Sequence, residues 1–304
     1  MHIRKVHESM KNYPLYPLRL IPVPTAKIWG GTKLSARYAK PFPDSPDSES
    51  PDSNIRLGET AELIISDKEC SLIGNGECAG MRLDRYLGIK KSSKFPVMVK
   101  YIDAGSTLSV QVHPAKTELW YIAEAEPGAE IIYGLNKSFK KKRFSSELCD
   151  GRIKYLLNKK RVHPGEFYMI PPGFIHAIGR GVLAVEFQQN NDITERIYDF
   201  GRGRPLQTEN AVKTINLHKV FKEGDGIAIP GLSCCSFFSV SEHSCSGSIT
   251  VQNSLNPTFL TCVKSSPDAM ILGNKLIQGD SYYIPAGCAA EIQGIDVTFL
   301  TMTW

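Results

Sequence analysis

Along most of this chain, apolar residues alternate with polar ones or gather in runs of five to eight residues. The clearest are AELIIS (61–66), VMVKYIDA (97–104), LSVQV (108–112), ELWYIAEA (118–125), AEIIYG (129–134), EFYMIP (166–171), VLAVEF (182–187) and TERIYDF (194–200). They are rich in β-branched and aromatic residues, and Gly, Pro and Asp separate them. Short strands at such spacing predict a mainly β protein, a sandwich or barrel. Two helical patterns interrupt the series. MRLDRYLG is a short helix that closes at Gly88. The stretch 138–160 predicts two short helices broken at Gly151, with Leu148, Ile153, Leu156 and Leu157 as the buried set, a small helical insertion near 137–160. The Pro/Ser/Asp-rich stretch from Lys40 to Asn54 cannot bury a core and reads as a loop.

The strand pattern also repeats. GEFYMIPPGFIHAI begins at Gly165 and GDSYYIPAGCAAEI at Gly279, an offset of 114 residues. Gly165, Ile170, Pro171, Gly173 and Ile178 align with Gly279, Ile284, Pro285, Gly287 and Ile292. Both copies read as an acidic turn, a strand, a Pro–Gly turn and a second strand. His176 of the first copy aligns with Ala290 of the second. The simplest account is two related β-sandwich domains, 1–215 and 216–304, of which the first alone keeps a ligating histidine. The segment from Asn216 through NLHKVFKEGDGIAIPG is the expected junction.

Composition narrows the function. With 304 residues, 42% hydrophobic and 22% charged, the chain can build two ordinary cores. A net charge of +5 suits an anionic small molecule. No basic motif is interleaved with base-stacking aromatics, so nucleic acid is not expected. The run Lys140 to Arg143 reads as a solvated face. No apolar run approaches the roughly 18 residues of a membrane span, and the N-terminus has no signal-type apolar core. The eight cysteines contain no C-x-x-C, and adjacent Cys234 and Cys235 would form a strained disulfide. Reduced thiols in a cytoplasmic protein, monomeric or weakly self-associating, are expected.

The candidate chemistry lies in LSVQVHPAKTELWYI. Gln111 and His113 sit two apart on a β-prone run, so their side chains share a face, and Glu118 opens the next run. With His176 they offer two imidazoles, a carboxylate and an amide oxygen, a donor set suited to one zinc ion per chain. His2, His7, His163, His218 and His243 have no such partners. Trp120 and Tyr121 read as core. Trp29-Gly30-Gly31 reads as a tight turn beneath a packed aromatic.

The donor pattern resembles that of cupins. IWGGTKL, LGETAEL, FPVMVKYIDAGSTLSVQVHP, KTELWYI, EIIYG, GEFYMIPPGFIHAIG and QQNNDITERIYDFGR, in that order from Trp29 to Arg202, further resemble type I mannose-6-phosphate isomerases. The resemblance implies two jelly-roll domains of cupin type, the second degenerate and without metal. It implies Gln111, His113, Glu118 and His176 as zinc ligands. Lys100 and Lys116 match the family's site lysines, and Glu186 and Arg196 match a glutamate and an arginine lining the site, the arginine implicated in isomerisation. The implied reaction interconverts mannose 6-phosphate and fructose 6-phosphate by proton transfer through an enediol(ate), with a phosphorylated hexose as partner. Glu186 is a candidate base, and a lysine held beside a cation could shuttle protons. Two departures stand out. Only Ala115 separates QVHP from KTE, where the family usually has some twenty residues, and Ala61 replaces the tryptophan of GE-x-W-E. The first implies a missing or rebuilt wall or lid of the pocket, and both bear on substrate range and turnover rather than on the metal. The alternatives are a metal-dependent sugar epimerase or oxygenase, and a sugar-phosphate-binding or regulatory cupin of little activity.

Overall fold

A computed structural model describes residues 13–41, 56–91, 95–191, 193–218 and 232–304. His2, His7, most of the Lys40–Asn54 loop and all but the start of the expected junction lie outside the described residues.

The described chain opens with β1 (Leu18–Ile21), β2 (Val23–Lys27), helix α1 (Lys33–Arg37), β3 (Arg56–Leu63), the short β4 (Leu72–Ile73) and helix α2 (Leu83–Tyr86). Then come β5 (Val97–Asp103), β6 (Val110–Val112), β7 (Glu118–Ala125) and β8 (Glu130–Leu135). Helix α3 (Lys141–Cys149) and one 3-10 turn (Ile153–Tyr155) lead to β9 (Leu157–Arg161). Next are β10 (Phe167–Ile170), β11 (His176–Ile178), β12 (Val182–Gln189), β13 (Glu195–Tyr198) and helix α4 (Thr208–Thr214). The rest is β14 (Leu232–Cys234), β15 (Ser239–Gln252), β16 (Thr258–Lys264), β17 (Met270–Ile271), β18 (Asn274–Lys275), β19 (Ser281–Ile284) and β20 (Ala289–Thr303).

The architecture is mainly β, with antiparallel strands throughout. A six-stranded sheet, in the order β10-β7-β12-β5-β3-β2, faces a five-stranded sheet, β13-β6-β11-β8-β9. Alternation dictates what each face carries. On β5, Val97, Val99 and Tyr101 point one way and Met98, Lys100 and Ile102 the other. On β12, Leu183, Val185 and Phe187 oppose Ala184, Glu186 and Gln188. On β7, Leu119 and Tyr121 oppose Glu118, Trp120 and Ile122. The first set of each packs with Phe259, Tyr283, Leu300 and Met302 of the C-terminal region. The second set faces into the sandwich, where Ile102, Trp120, Ile122 and Ala184 meet Leu108, Ile131, Tyr133, Phe174 and Ile178. The six-stranded sheet is thus buried on both faces, and its inward residues include the charged ones.

The other face of the five-stranded sheet is closed by helices. Val110, Val112 and Ala177 pack against Phe139, Phe144, Ile153, Leu156 and Ala211. Only the first of the two helices expected near 137–160 is a full helix. The second is a single 3-10 turn, because Leu157 already pairs with Leu135 as the first residue of β9.

The C-terminal strands form a nine-stranded sheet, ordered β14-β15-β20-β16-β19-β1-β4 with β17 and β18 to the side. Two of its strands come from the start of the chain: Leu18 pairs with Tyr283, and Leu20 with Ile73. The internal repeat is visible in backbone geometry. Gly165 and Gly279 have φ of 90° and 92°, and Gly173 and Gly287 have 75° and 83°, each pair flanking a four-residue strand. Ala290, opposite number of His176, is buried among Ile284, Ile292 and Phe299.

Trp29-Gly30-Gly31 is a close crossing under buried Trp29. A Cβ on Gly31 would lie 2.2 Å from the Asp103 carboxylate. That carboxylate accepts the Lys33 and Leu34 N–H groups at 2.6 and 3.2 Å, tying the start of α1 to the end of β5. All eight cysteines are free thiols, and no described helix is long and apolar enough to cross a membrane.

Candidate metal centre

His113 leaves the end of β6, Glu118 starts β7 and His176 starts β11, so three strand ends meet inside the sandwich. Each contributes one donor atom, all within 4.8 Å of one another, and all three residues are buried. His113 Nε2 lies 3.0 Å from Glu118 Oε1 and 3.2 Å from His176 Nε2, and His176 Nε2 lies 3.6 Å from Glu118 Oε2. The far side of each ring is fixed by the backbone. His113 Nδ1 is 2.9 Å from the Ile193 carbonyl, and His176 Nδ1 is 2.8 Å from the Phe174 carbonyl. A carbonyl only accepts, so each Nδ1 carries the proton and each Nε2 turns a lone pair to the centre. Burial pushes the His176 imidazole down to about 3, so near neutrality it is the uncharged acceptor. Glu118 adds its carboxylate, with Oε2 buried and without a hydrogen-bond partner in the protein. Burial would raise that carboxyl, but the Lys116 ammonium outweighs it and holds it well below the usual range. Two lone pairs and a carboxylate converging on one buried point repel each other unless a cation sits among them. The donor set therefore fits a divalent metal.

Gln111 adjoins the three. It pairs with His176 across β6 and β11, and its amide nitrogen is 3.4 Å from His176 Nε2. A half-turn of the amide exchanges nitrogen for oxygen. The turn after β10 locks the arrangement, since Gly173 N–H donates to the His113 carbonyl at 2.8 Å.

A charged row crosses the facing sheet. Ala61, Lys100, Glu186 and Trp120 are successive register partners on β3, β5, β12 and β7. Trp120 Nε1–H donates to Glu186 Oε2 at 3.0 Å, and its ring meets His176 edge-on, centroids 5.4 Å apart. Burial and the nearby Glu118 push the Glu186 carboxyl up to about 7. Lys116, also buried, donates to Glu118 Oε1 at 2.7 Å and to Gln188 Oε1 at 2.9 Å.

The whole chain has close counterparts. It is 32% identical over 307 residues to "Mannose-6-phosphate isomerase ManA" of Bacillus subtilis (strain 168), covering 89% of this chain and 93% of that protein. The chain belongs to the mannose-6-phosphate isomerase family. The crystal structure of the mannose 6-phosphate isomerase from Bacillus subtilis superposes with a TM-score of 0.79 at 25% identity, covering 94% of this chain and 99% of that one. A mannose 6-phosphate isomerase in its holo, zinc-bound form shares the fold with a TM-score of 0.73 at 14% identity, over 95% of this chain and 99% of its own. No protein-family model matches the chain.

Arg196 stands on the opposite sheet from Lys100 and Glu186. It pairs with Gln111 across β13 and β6, so Arg196, Gln111 and His176 form a row on three adjacent strands. Its Nη1 donates to the Pro205 carbonyl at 2.8 Å, and its buried Nε has no partner in the protein. The Asp199 carboxylate is engaged by Arg202 and Arg204, at 2.8 and 2.5 Å.

In this isomerase, three residues overlooked in the sequence belong to the same interior. Glu59, two positions before Ala61, pairs with Lys27 at 2.7 Å. Burial would raise its carboxyl, yet Lys100, Lys27 and Lys116 outweigh that and lower it. Gln188 holds Lys116, and Trp120, assigned to the core, also binds Glu186. On β12 alternation was the available signal, since Glu186 and Gln188 lie on the sandwich side of a strand whose other face is Leu183, Val185 and Phe187; Glu59 lies on a strand with Thr60 and Glu62 on its other face, which gives no such contrast.

Proposed function

We propose that this protein interconverts mannose 6-phosphate and fructose 6-phosphate, with one zinc ion held by His113, Glu118 and His176 and by Gln111 through its amide oxygen. The observation that carries the reading is the convergence of two backbone-oriented Nε2 lone pairs and a buried carboxylate within 4.8 Å, in a chain of this family. His, carboxylate and amide donors suit zinc, whose bound form supplies Lewis acidity toward sugar oxygens. The zinc-bound relative supports the same choice of metal.

The chain's own residues supply the rest. Moving hydrogen between C1 and C2 of the open sugar requires a group that takes a proton from one carbon and returns it to the other. Glu186 suits this role: burial and the nearby Glu118 raise its carboxyl above the ordinary carboxylate range, toward a group that can both take and return a proton. The Trp120 indole N–H fixes one of its oxygens. Charge developing on the enediolate oxygens is met by cations, Lys116 beside Glu118 and Arg196 beside Gln111. Lys100, opposite Glu186, adds a third positive group suited to a phosphorylated substrate. The connection from β6 to β7 is only residues 113–117, with Pro114 and Ala115 exposed, so this side of the pocket has a low wall.

The test is a coupled assay for fructose 6-phosphate together with metal analysis. Activity on mannose 6-phosphate should exceed that on mannose by at least about 100-fold in kcat/KM, since remote binding of the phosphate positions the reacting carbons. Chelation should remove the metal and the activity together, and zinc should restore both. Protein carrying one zinc per chain yet inert toward mannose 6-phosphate would overturn the reading.

A further inference from the structure

Gln188 is fully buried on β12, in register with Glu118 of β7 and Met98 of β5. Its amide is used unevenly. Oε1 accepts from Lys116 Nζ at 2.9 Å, while Nε2 donates to the thioether of Met98 at 3.4 Å. Sulfur is a weak acceptor, so the second contact compensates little of what it costs to bury an amide N–H group. The reverse orientation would set that NH2 against the Lys116 ammonium, so the lysine's charge fixes which way the amide points. A methionine or leucine would fill the same volume beside Met98 without a buried polar group. Packing alone therefore gives no reason for glutamine here, and its contact with Lys116 does.

The next residue works on the same target. Gln189 Oε1 accepts the Thr117 N–H at 2.9 Å, and the Gln189 N–H donates to the Thr117 carbonyl at 3.2 Å. The end of β12 thus grips the short 113–117 connection at the backbone of Thr117 and at the side chain of Lys116.

We propose that Gln188 is a positioning residue of the isomerase site, acting through Lys116; this rests on the function proposed above. An ammonium has three N–H donors in tetrahedral array. Glu118 Oε1 at 2.7 Å takes one and Gln188 Oε1 takes another. Two fixed directions determine the third, which Gln188 thereby aims at a sugar oxygen. Without Gln188 the ammonium pivots about its contact with Glu118, and the third donor loses its direction. The Gln188 side chain hydrogen-bonds only to Lys116 and Met98 among the described residues, so it acts through Lys116.

The experiment is a double-mutant cycle in zinc-loaded enzyme with Gln188→Met, Lys116→Met and the double variant, reading kcat, KM and zinc content. Gln188→Met should lower kcat by about 10- to 100-fold, the scale of a misplaced site group, with KM changed by less than about threefold and zinc retained. In the Lys116→Met background it should cost nothing further. Gln188→Glu, which keeps an acceptor, should recover part of the loss. If Gln188→Met does not fold, Gln188→Asn, one methylene too short to reach Lys116, takes its place with the same expectation. A kcat within about twofold of the parent, or losses that multiply in the double variant, would overturn the role of Gln188 alone. A parent enzyme inactive on mannose 6-phosphate would instead overturn the isomerase reading, and this role with it.

Discussion

Glu186 stands in VLAVEFQQ as one carboxylate among apolar residues. It is buried, with Glu118 nearby and the Trp120 N–H as its partner. The consequence for stability has a definite sign. Folding raises its carboxyl from the ordinary 4.5 to about 7. A group raised on folding stabilises fully below its unfolded value and loses that contribution as pH rises through its folded value. In zinc-stripped protein, Glu186→Gln should therefore unfold at nearly the same temperature as the parent, apart from a constant offset, at pH about 4.5. Its Tm advantage should grow up to about pH 8. Thermal scans of both proteins across that range would check it, and a difference that stays flat would contradict the burial argument. Other site residues were legible because their types are telling. His113 and Glu118 lie close in sequence on β-prone runs, and His176 follows a Pro–Gly turn. Glu59 and Gln188 were not, because a single polar residue facing a sheet interior looks in sequence like one facing water.

At the scale of elements, the turn between β10 and β11 positions the histidines. Gly173 sits at φ 75°, and a Cβ there would come 2.8 Å from the Thr214 carbonyl. Its N–H also holds the carbonyl of His113. Gly165, at φ 90°, has open space where a Cβ would go. Gly165→Ala should thus carry only the left-handed backbone penalty of about 1–2 kcal/mol. Gly173→Ala should cost more and should weaken zinc binding as well, since the clash moves the turn that anchors His113. Urea denaturation and a zinc competition titration of the two variants would separate these effects. Strands β3, β5 to β8, β10, β12 and β13 were readable as short β-prone runs, whereas β1, β2, β9, β15 and β16 were not. The second helix of the 137–160 insertion was not, because Leu156 and Leu157 suit a helix stripe as well as a strand, and pairing with β8 across the sheet decides between them.

At the scale of the whole molecule, the six-stranded sheet shares its outer face with the C-terminal sheet, and a buried ion pair pins the two together. Lys40 Nζ reaches Glu62 Oε2 at 2.7 Å and the Gly279 carbonyl at 2.5 Å. Ser281 Oγ donates to the same Glu62 oxygen at 2.8 Å, and Thr60 Oγ1 to the other at 2.6 Å. Removing one partner strands a buried charge, so Lys40→Met should destabilise by about 3–5 kcal/mol while leaving zinc stoichiometry unchanged. Calorimetry alongside metal analysis would read both. No local pattern announces this junction, nor the placing of β1 between β19 and β4, because pairing across the length of the chain leaves no periodic mark. That pairing has a consequence during synthesis. Leu18 must wait for Tyr283, 265 positions later (283 − 18), before it finds its neighbour. At roughly 5–20 residues per second, the nascent chain carries β1 without that partner for on the order of 10–50 s. Ribosome-bound or prematurely terminated chains would hold out a bare strand edge over that interval. They are the species most open to mispairing with one another and most in need of a chaperone.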